Sequence, residues 1–275
     1  MSSSALSASA APRSFPVRAL GGPTALFEYG GLRFLTDPTF DGPGEYGRPG
    51  RPVLTKTTRS GSTAEEVGAV DIVLLSHDEH EDNLDISGRA LLAHAGLTLT
   101  TSSGAERLGA ALAGKVRGLG DWEAVDLPRP DGGTVTVTGV PAVHGPGSRA
   151  EVEPVLGQVV GFVLTGEGLP TVYVSGDNAS LDAVRDIAAR HPRVDTALLF
   201  AGAPRFPVIF GNRPIVLDSP QAAEAARILD ARRVVPLHYE GWAHFTEGRA
   251  ELIDAFAATG LADRLDWGGA GPEAV

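Results

Sequence analysis

Asp71-Ile72-Val73-Leu74-Leu75-Ser76-His77-Asp78-Glu79-His80-Glu81-Asp82-Asn83-Leu84-Asp85 decides how this chain is read. It starts as an apolar run, Ile72 to Leu75, of a length that suits a buried strand. It then turns into six consecutive ionisable residues, His77 to Asp82. Burying a lone charge is costly, so these groups must be solvated, paired or bound to something. A solvated loop accounts for the carboxylates but not for two histidines among them. Imidazole and carboxylate gathered at a rigid strand end are what a divalent metal takes as ligands.

Three other stretches repeat the pattern. Val140-Pro-Ala-Val-His144, Thr171-Val-Tyr-Val-Ser-Gly-Asp177 and Val234-Val-Pro-Leu-His238 each end a short apolar strand on one ligand-type residue. Gly or Pro marks the loop each time. This order of His/Asp cluster, His, Asp and His resembles the metallo-β-lactamase superfamily. Within it, the chain is most similar to hydrolases of the ascorbate-6-phosphate lactonase type. The resemblance runs from about Pro16 to Asp266. The family loop reads His-x-His-x-Asp-His. Here His77 opens it, His80 comes one residue late, and Asn83 stands where the last histidine falls. Two registers are open. In one, His77 and His80 both bind across a one-residue bulge. In the other, strict side-chain alternation lines up Asp78, His80 and Asp82, and His77 points away.

The resemblance implies an α/β fold: a four-layer αββα sandwich of two mixed sheets with outer helices. It also implies one or two divalent ions, Zn first, with Mn, Fe or Ni as alternatives. In the two-metal reading, His77, His80 and His144 hold one ion, Asp82 and His238 hold the other, and Asp177 bridges. Such a site lowers the pKa of bound water to about 7. The hydroxide so formed attacks a small ester, lactone or phosphorylated metabolite, with Asp82 orienting it. Tyr239-Glu-Gly-Trp242-Ala-His244-Phe245 follows His238 directly and reads as a pocket wall, or as aromatic packing against the closing helix. His244 is the second catalytic candidate, as proton donor or substrate contact. The competing expectation is a one-metal or metal-free member of the fold, acting as a binding or biosynthetic accessory protein. The late His80 and Asn83 motivate it.

Composition narrows the partners. The 275 residues carry a formal net charge of −11, which argues against nucleic acid. A hydrophobic content of 43% with 21% charged residues is that of a globular chain with a sizeable core. No cysteine is present, so disulfides and thiolate metal sites are excluded. Residues 1–14 are Ser- and Ala-rich and read as a disordered tail; 15–275 read as a single domain. Neither a signal-peptide pattern nor a membrane-spanning apolar run is seen. The expectation is a cytoplasmic protein with a small-molecule substrate and no membrane partner.

The remaining expectations are local. Thr24–Tyr29 and Leu32–Thr36 form a hairpin across Gly30-Gly31. Asp37-Pro38 reads as a turn, and the resemblance places Asp37 at the floor of the site. Residues 41–61 read as one long loop. Trp122 to Leu127 reads as a strand. Ser219 reads as a helix cap with Pro220 behind it. His94 and His191 read as bland helix-end residues. Arg149 and Arg205 read as surface arginines, with an anion clamp as the sharper alternative.

Overall fold

The computed structural model describes residues 15–47 and 52–269; the tail expected at 1–14 lies outside them. Its first sheet is ordered Val17–Gly21, Thr24–Tyr29, Leu32–Thr36, Ile72–Leu74, Leu97–Thr100 and Val116–Gly118. The first three strands are antiparallel, and pairing is parallel from Leu32–Thr36 onward. The hairpin at Gly30-Gly31 needs φ of +61° and +78°, which glycine adopts without steric cost.

The second sheet is ordered Arg233–Leu237, Thr196–Phe200, Val172–Val174, Val160–Gly166, Thr134–Pro141 and Ala124–Pro128. Its first three strands run parallel and the others antiparallel. Both sheets are therefore mixed.

Side-chain alternation along the strands builds the layers. Phe34 and Leu74 of the first sheet meet Phe162, Val174 and Leu198 of the second in one core between the sheets. Leu35 and Val73 point the other way, against Leu91 and Leu92 of helix Ile86–Leu92 and Leu108 of helix Ser102–Leu112. On the far side, Tyr173 and Leu199 pack against helices Leu181–Arg190, Ser219–Ile228 and Arg249–Ala258. Helix, sheet, sheet, helix is the expected four-layer sandwich. Among the described residues, no helix is long and apolar enough to cross a membrane.

The departures from expectation are short elements. Residues 41–61 carry a small hairpin, Gly44–Tyr46 with Leu54–Lys56, and not only a loop. Helix Arg149–Leu156 has Pro154 inside it, which hid its period; its Ser148/Glu151 capping box was the available signal. Trp122 sits in a turn at φ +66°, ahead of the strand Ala124–Pro128. Asp218, not Ser219, caps the helix: its carboxylate accepts from Gln221 N, and Ser219 is the first helical residue.

Candidate metal centre

The strands Ile72–Leu74, Thr134–Pro141, Val172–Val174 and Arg233–Leu237 all end at one edge of the sandwich. Just beyond them lie His77, His144, Asp177 and His238. Each of these four side chains is buried.

The loop after Ile72–Leu74 is held from beneath. Asp37, at the end of Leu32–Thr36, accepts from Ser76 N at 2.5 Å and from Ser76 Oγ at 2.6 Å. It also accepts from Asn83 Nδ2 at 3.2 Å. Burial pushes its carboxyl up to about 7 despite the Ser76 donors. Asp37 is thus the floor of the loop as well as a turn residue. On the other side, Asp85 caps helix Ile86–Leu92, accepting from Gly88 N at 2.8 Å. Gly88 lies so close to the Asp37-Pro38 turn that a Cβ there would sit 1.8 Å from Pro38 O.

Arg107 sets the register. Its Nε lies 3.0 and 3.1 Å from the two Asp78 oxygens, and its Nη2 reaches Glu79 at 3.1 Å. Arg89 donates to the Asp78 carbonyl at 2.9 Å. Asp78 and Glu79 therefore face outward, toward helix Ser102–Leu112. His77 and His80 turn to one point, with His77 Nε2 2.7 Å from His80 Nδ1. The alternating register, with Asp78 facing the site, is not the one adopted. The extra residue is accommodated because two carboxylates share a guanidinium on its outer side.

Hydrogen bonds fix the tautomers of two histidines. Ser76 Oγ–H is committed to Asp37, so at 2.9 Å that hydroxyl accepts from His77 Nδ1. His144 Nδ1 donates to Ile215 O at 2.8 Å. Both Nε2 atoms are left unprotonated, and that of His77 accepts from His80 Nδ1. Ring centroids of His77, His80 and His144 lie 4.7 to 5.4 Å apart. One ligand atom from each of His77, His80, His144 and Asp177 falls within 4.8 Å of the others. Burial pushes His77 down to about 4, and burial with the neighbouring imidazoles pushes His80 well below its ordinary value. Both are neutral at physiological pH, the form that binds metal.

Asp177 also faces a second cluster. His238 Nε2 lies 3.4 Å from Asp177 Oδ1 and 3.5 Å from Asp82 Oδ2. Neither His238 nitrogen makes a hydrogen bond. Burial lowers the His238 imidazole, but Asp177, Asp82 and Asp37 together raise it. Burial raises the Asp82 and Asp177 carboxyls, yet neighbouring histidines hold both below the usual carboxylate range. Orphaned, fully buried imidazole nitrogens among carboxylates, with a His/Asp donor set and no thiolate, fit divalent metal. His238 holds φ +57°, a left-handed conformation that costs a non-glycine residue about 1–3 kcal/mol. Gly202 lets it sit there, since a Cβ at Gly202 would be 2.3 Å from His238 O.

His244 lies beside this cluster, its Nε2 2.9 Å from Asp82 Oδ2. Trp242 is buried against Tyr46 and Lys56 of the small hairpin. Phe245 packs on His238, with ring centroids 4.6 Å apart. His94 is exposed, and His191 ends its helix as expected. Arg149 pairs with Asp121 at 2.8 Å and Arg205 with Glu247 at 3.3 Å, so both are engaged on the surface.

A cavity of about 440 Å³ opens onto both clusters. Its wall is largely apolar: Leu54, Val155, Leu156, Phe206, Ile209 and Ile215. Lysine and arginine are absent from its described lining, and Glu81 is present. Sequence reasoning found the ligand-type residues and missed this wall. Its one legible signal was the apolar run Phe206-Pro-Val-Ile-Phe210, set in a segment with no strand or helix period.

Comparison with known proteins gives the family and the fold. A family model described as the beta-lactamase superfamily domain matches residues 32–239. A UPF0173 metal-dependent hydrolase from Roseobacter denitrificans is 34% identical over 130 residues, 45% of this chain. That match spans about half the relative's own length, 52%. A relative of the same description from Pelotomaculum thermopropionicum is 28% identical over 221 residues, 77% of this chain and 85% of the relative. Among solved structures, the isothiocyanate hydrolase from Delia radicum gut bacteria shares the fold, with a TM-score of 0.74 at 22% identity. The superposition covers 91% of this chain and 94% of that one.

Proposed function

The chain belongs to the beta-lactamase superfamily, and from that premise we propose that it is a metal-dependent hydrolase of a small, uncharged, apolar ester or lactone. The observation that carries this reading is the group His77, His80, His144 and Asp177, whose ligand atoms converge within 4.8 Å, with His80, His144 and Asp177 opening onto a largely apolar cavity. These four residues would hold a first ion, and Asp82 and His238 would hold a second, with Asp177 lying between the two sets. Bound there, divalent metal supplies Lewis acidity and water ionised near neutral pH.

The chain's own residues do the rest. Ser76 and the Ile215 carbonyl keep Nε2 of His77 and His144 unprotonated and aimed inward. Asp82 is kept ionised by its histidine neighbours, so it would accept a hydrogen bond from the attacking water and orient it. Leu54, Val155, Leu156, Phe206 and Ile209 take up the apolar part of the substrate and exclude bulk water. The phosphorylated substrates that the sequence left open meet no lysine or arginine among the described lining residues. The one-metal or metal-free accessory-protein alternative is not favoured, because ligand atoms of His77, His80, His144 and Asp177 converge on one point.

Protein stripped with chelator is to be reconstituted with zinc, manganese or iron(II), and assayed on p-nitrophenyl esters from acetyl to octanoyl, aliphatic lactones and a phosphodiester. Metal-dependent turnover of the esters or lactones is expected, rising with acyl length. Turnover indifferent to chelator, or confined to the phosphodiester, overturns the reading.

A further inference from the structure

We propose that His244 is a ligand of the second metal position, filling the place that Asn83 leaves. The proposal rests on the metal-hydrolase reading above and adds a residue to its site.

Asn83 is fully buried among the ligand-type residues, but its amide faces them with the wrong atom. Nδ2 donates to Asp37 Oδ2 at 3.2 Å and to Asp177 Oδ1 at 3.1 Å. An amide NH₂ has no lone pair for a cation. Turning the amide over would set Oδ1 against two carboxylates, so the network fixes this orientation. Asn83 is a bridge between Asp37 and Asp177. That leaves Asp82, Asp177 and His238 around the second position.

His244 arrives from the loop that follows His238. Its Nε2 is 2.9 Å from Asp82 Oδ2, the same oxygen that lies 3.5 Å from His238 Nε2. Two atoms each 2.0–2.2 Å from a tetrahedral zinc lie about 3.3–3.6 Å apart. The spacings Asp82–His238 and His238–Asp177, at 3.5 and 3.4 Å, match that value, and the 2.9 Å His244–Asp82 contact is a hydrogen bond that an ion between the two residues would replace. An imidazole replaces an imidazole, delivered from a different loop.

The position of His244 is built. Its ring is stacked on Phe206 at 5.7 Å and packed against Phe245 at 4.6 Å. The backbone on either side is tied down by Ala243 N to Thr55 O at 2.9 Å and Thr246 N to Gly202 O at 3.0 Å. Gly241, at φ +87°, makes the turn that brings the loop back over the site. The small hairpin Gly44–Tyr46/Leu54–Lys56 thus has a part in the site: Thr55 anchors the segment carrying His244.

The test is metal stoichiometry of the full chain, read independently of turnover. Wild type, His244→Ala and His244→Phe are stripped with chelator, equilibrated with zinc and titrated back with a competing chelator, with circular dichroism recorded on each. His244→Phe keeps a ring between Phe206 and Phe245, so it covers the case in which alanine fails to fold. Expected are two equivalents in wild type and one in the folded variants. The second affinity should fall by more than about 100-fold, beyond the ~10–100-fold lost when a residue only orients a ligand. Two equivalents in the variants at unchanged affinity, with turnover alone reduced, overturn the proposal and leave His244 as a proton donor. One equivalent in wild type and variants alike also overturns it, while the hydrolase reading stands. Wild type that binds no metal brings down both.

Discussion

Asp78 offers the sharpest test of how the extra residue in the 76–85 loop is tolerated. Its side chain is 3% exposed, and its partner Arg107 is 41% exposed. In Asp78→Ala the guanidinium is free to return to water, so the loss is that of charge-assisted hydrogen bonds, about 1–2 kcal/mol. In Arg107→Ala a buried carboxylate loses its cation. That costs more, about 2–4 kcal/mol, below the full 3–5 kcal/mol of a wholly buried pair because the arginine is half in solvent. At about 2–4 °C per kcal/mol for a domain of this size, the metal-free melting temperature should fall by about 2–8 °C and 4–16 °C respectively. Neither variant should lose metal, since Asp78 faces away from His77 and His80. His77→Ala should lose the first equivalent. The assay is metal per chain beside thermal denaturation of the chelated proteins. Loss of the first equivalent in Asp78→Ala, with melting within a few degrees of wild type, would refute the outward placement.

Other expectations follow from single contacts. Gly88→Ala drives a Cβ onto Pro38 O; a loss of about 3 kcal/mol or more is expected, seen as a melting temperature lower by about 6 °C or more, and unchanged melting contradicts the close approach. Burial holds His77 at about 4, whereas an ordinary imidazole of pKa about 6.5 is roughly three-quarters protonated at pH 6. Zinc binding at pH 6 should therefore release almost no proton from His77, and calorimetry in buffers of different ionisation enthalpy should find fewer protons released than three ordinary histidines would supply. Ile209→Ala trims the apolar wall and should raise KM for octanoyl esters by about 5–30-fold with kcat little changed, from about 1–2 kcal/mol of lost contact; an equal loss on acetyl esters would show that Ile209 does not meet the acyl chain.

The fold was legible because its signals are local and repeated. Ile72 to Leu75 and Val234 to Leu237 are apolar runs too short for helices, and Gly30-Gly31 punctuates a hairpin. Helix Arg149–Leu156 was hidden by Pro154, and the small hairpin by a Gly/Pro-rich stretch that masks its three-residue strands. Both elements turn out to border the cavity or its supports. The cap was misplaced by one residue because Asp218 and Ser219 are both good caps, and only the bond to Gln221 N separates them.

By itself the sequence determined the chemistry on offer: four strand ends, each carrying His or Asp, and no thiolate anywhere in the chain. Strand order and direction in the two sheets, not periodicity, bring those ends to one edge. Tertiary structure decided which side chains face inward. The His77–His80 bulge depends on Arg107 standing outside the loop, and the inward Nε2 of His144 depends on the Ile215 carbonyl, distant in sequence. His244 reaches Asp82 because Thr55 holds the backbone beside it. These are contacts between segments far apart in the chain. Their geometry follows from how whole layers pack, which no local pattern of residues encodes.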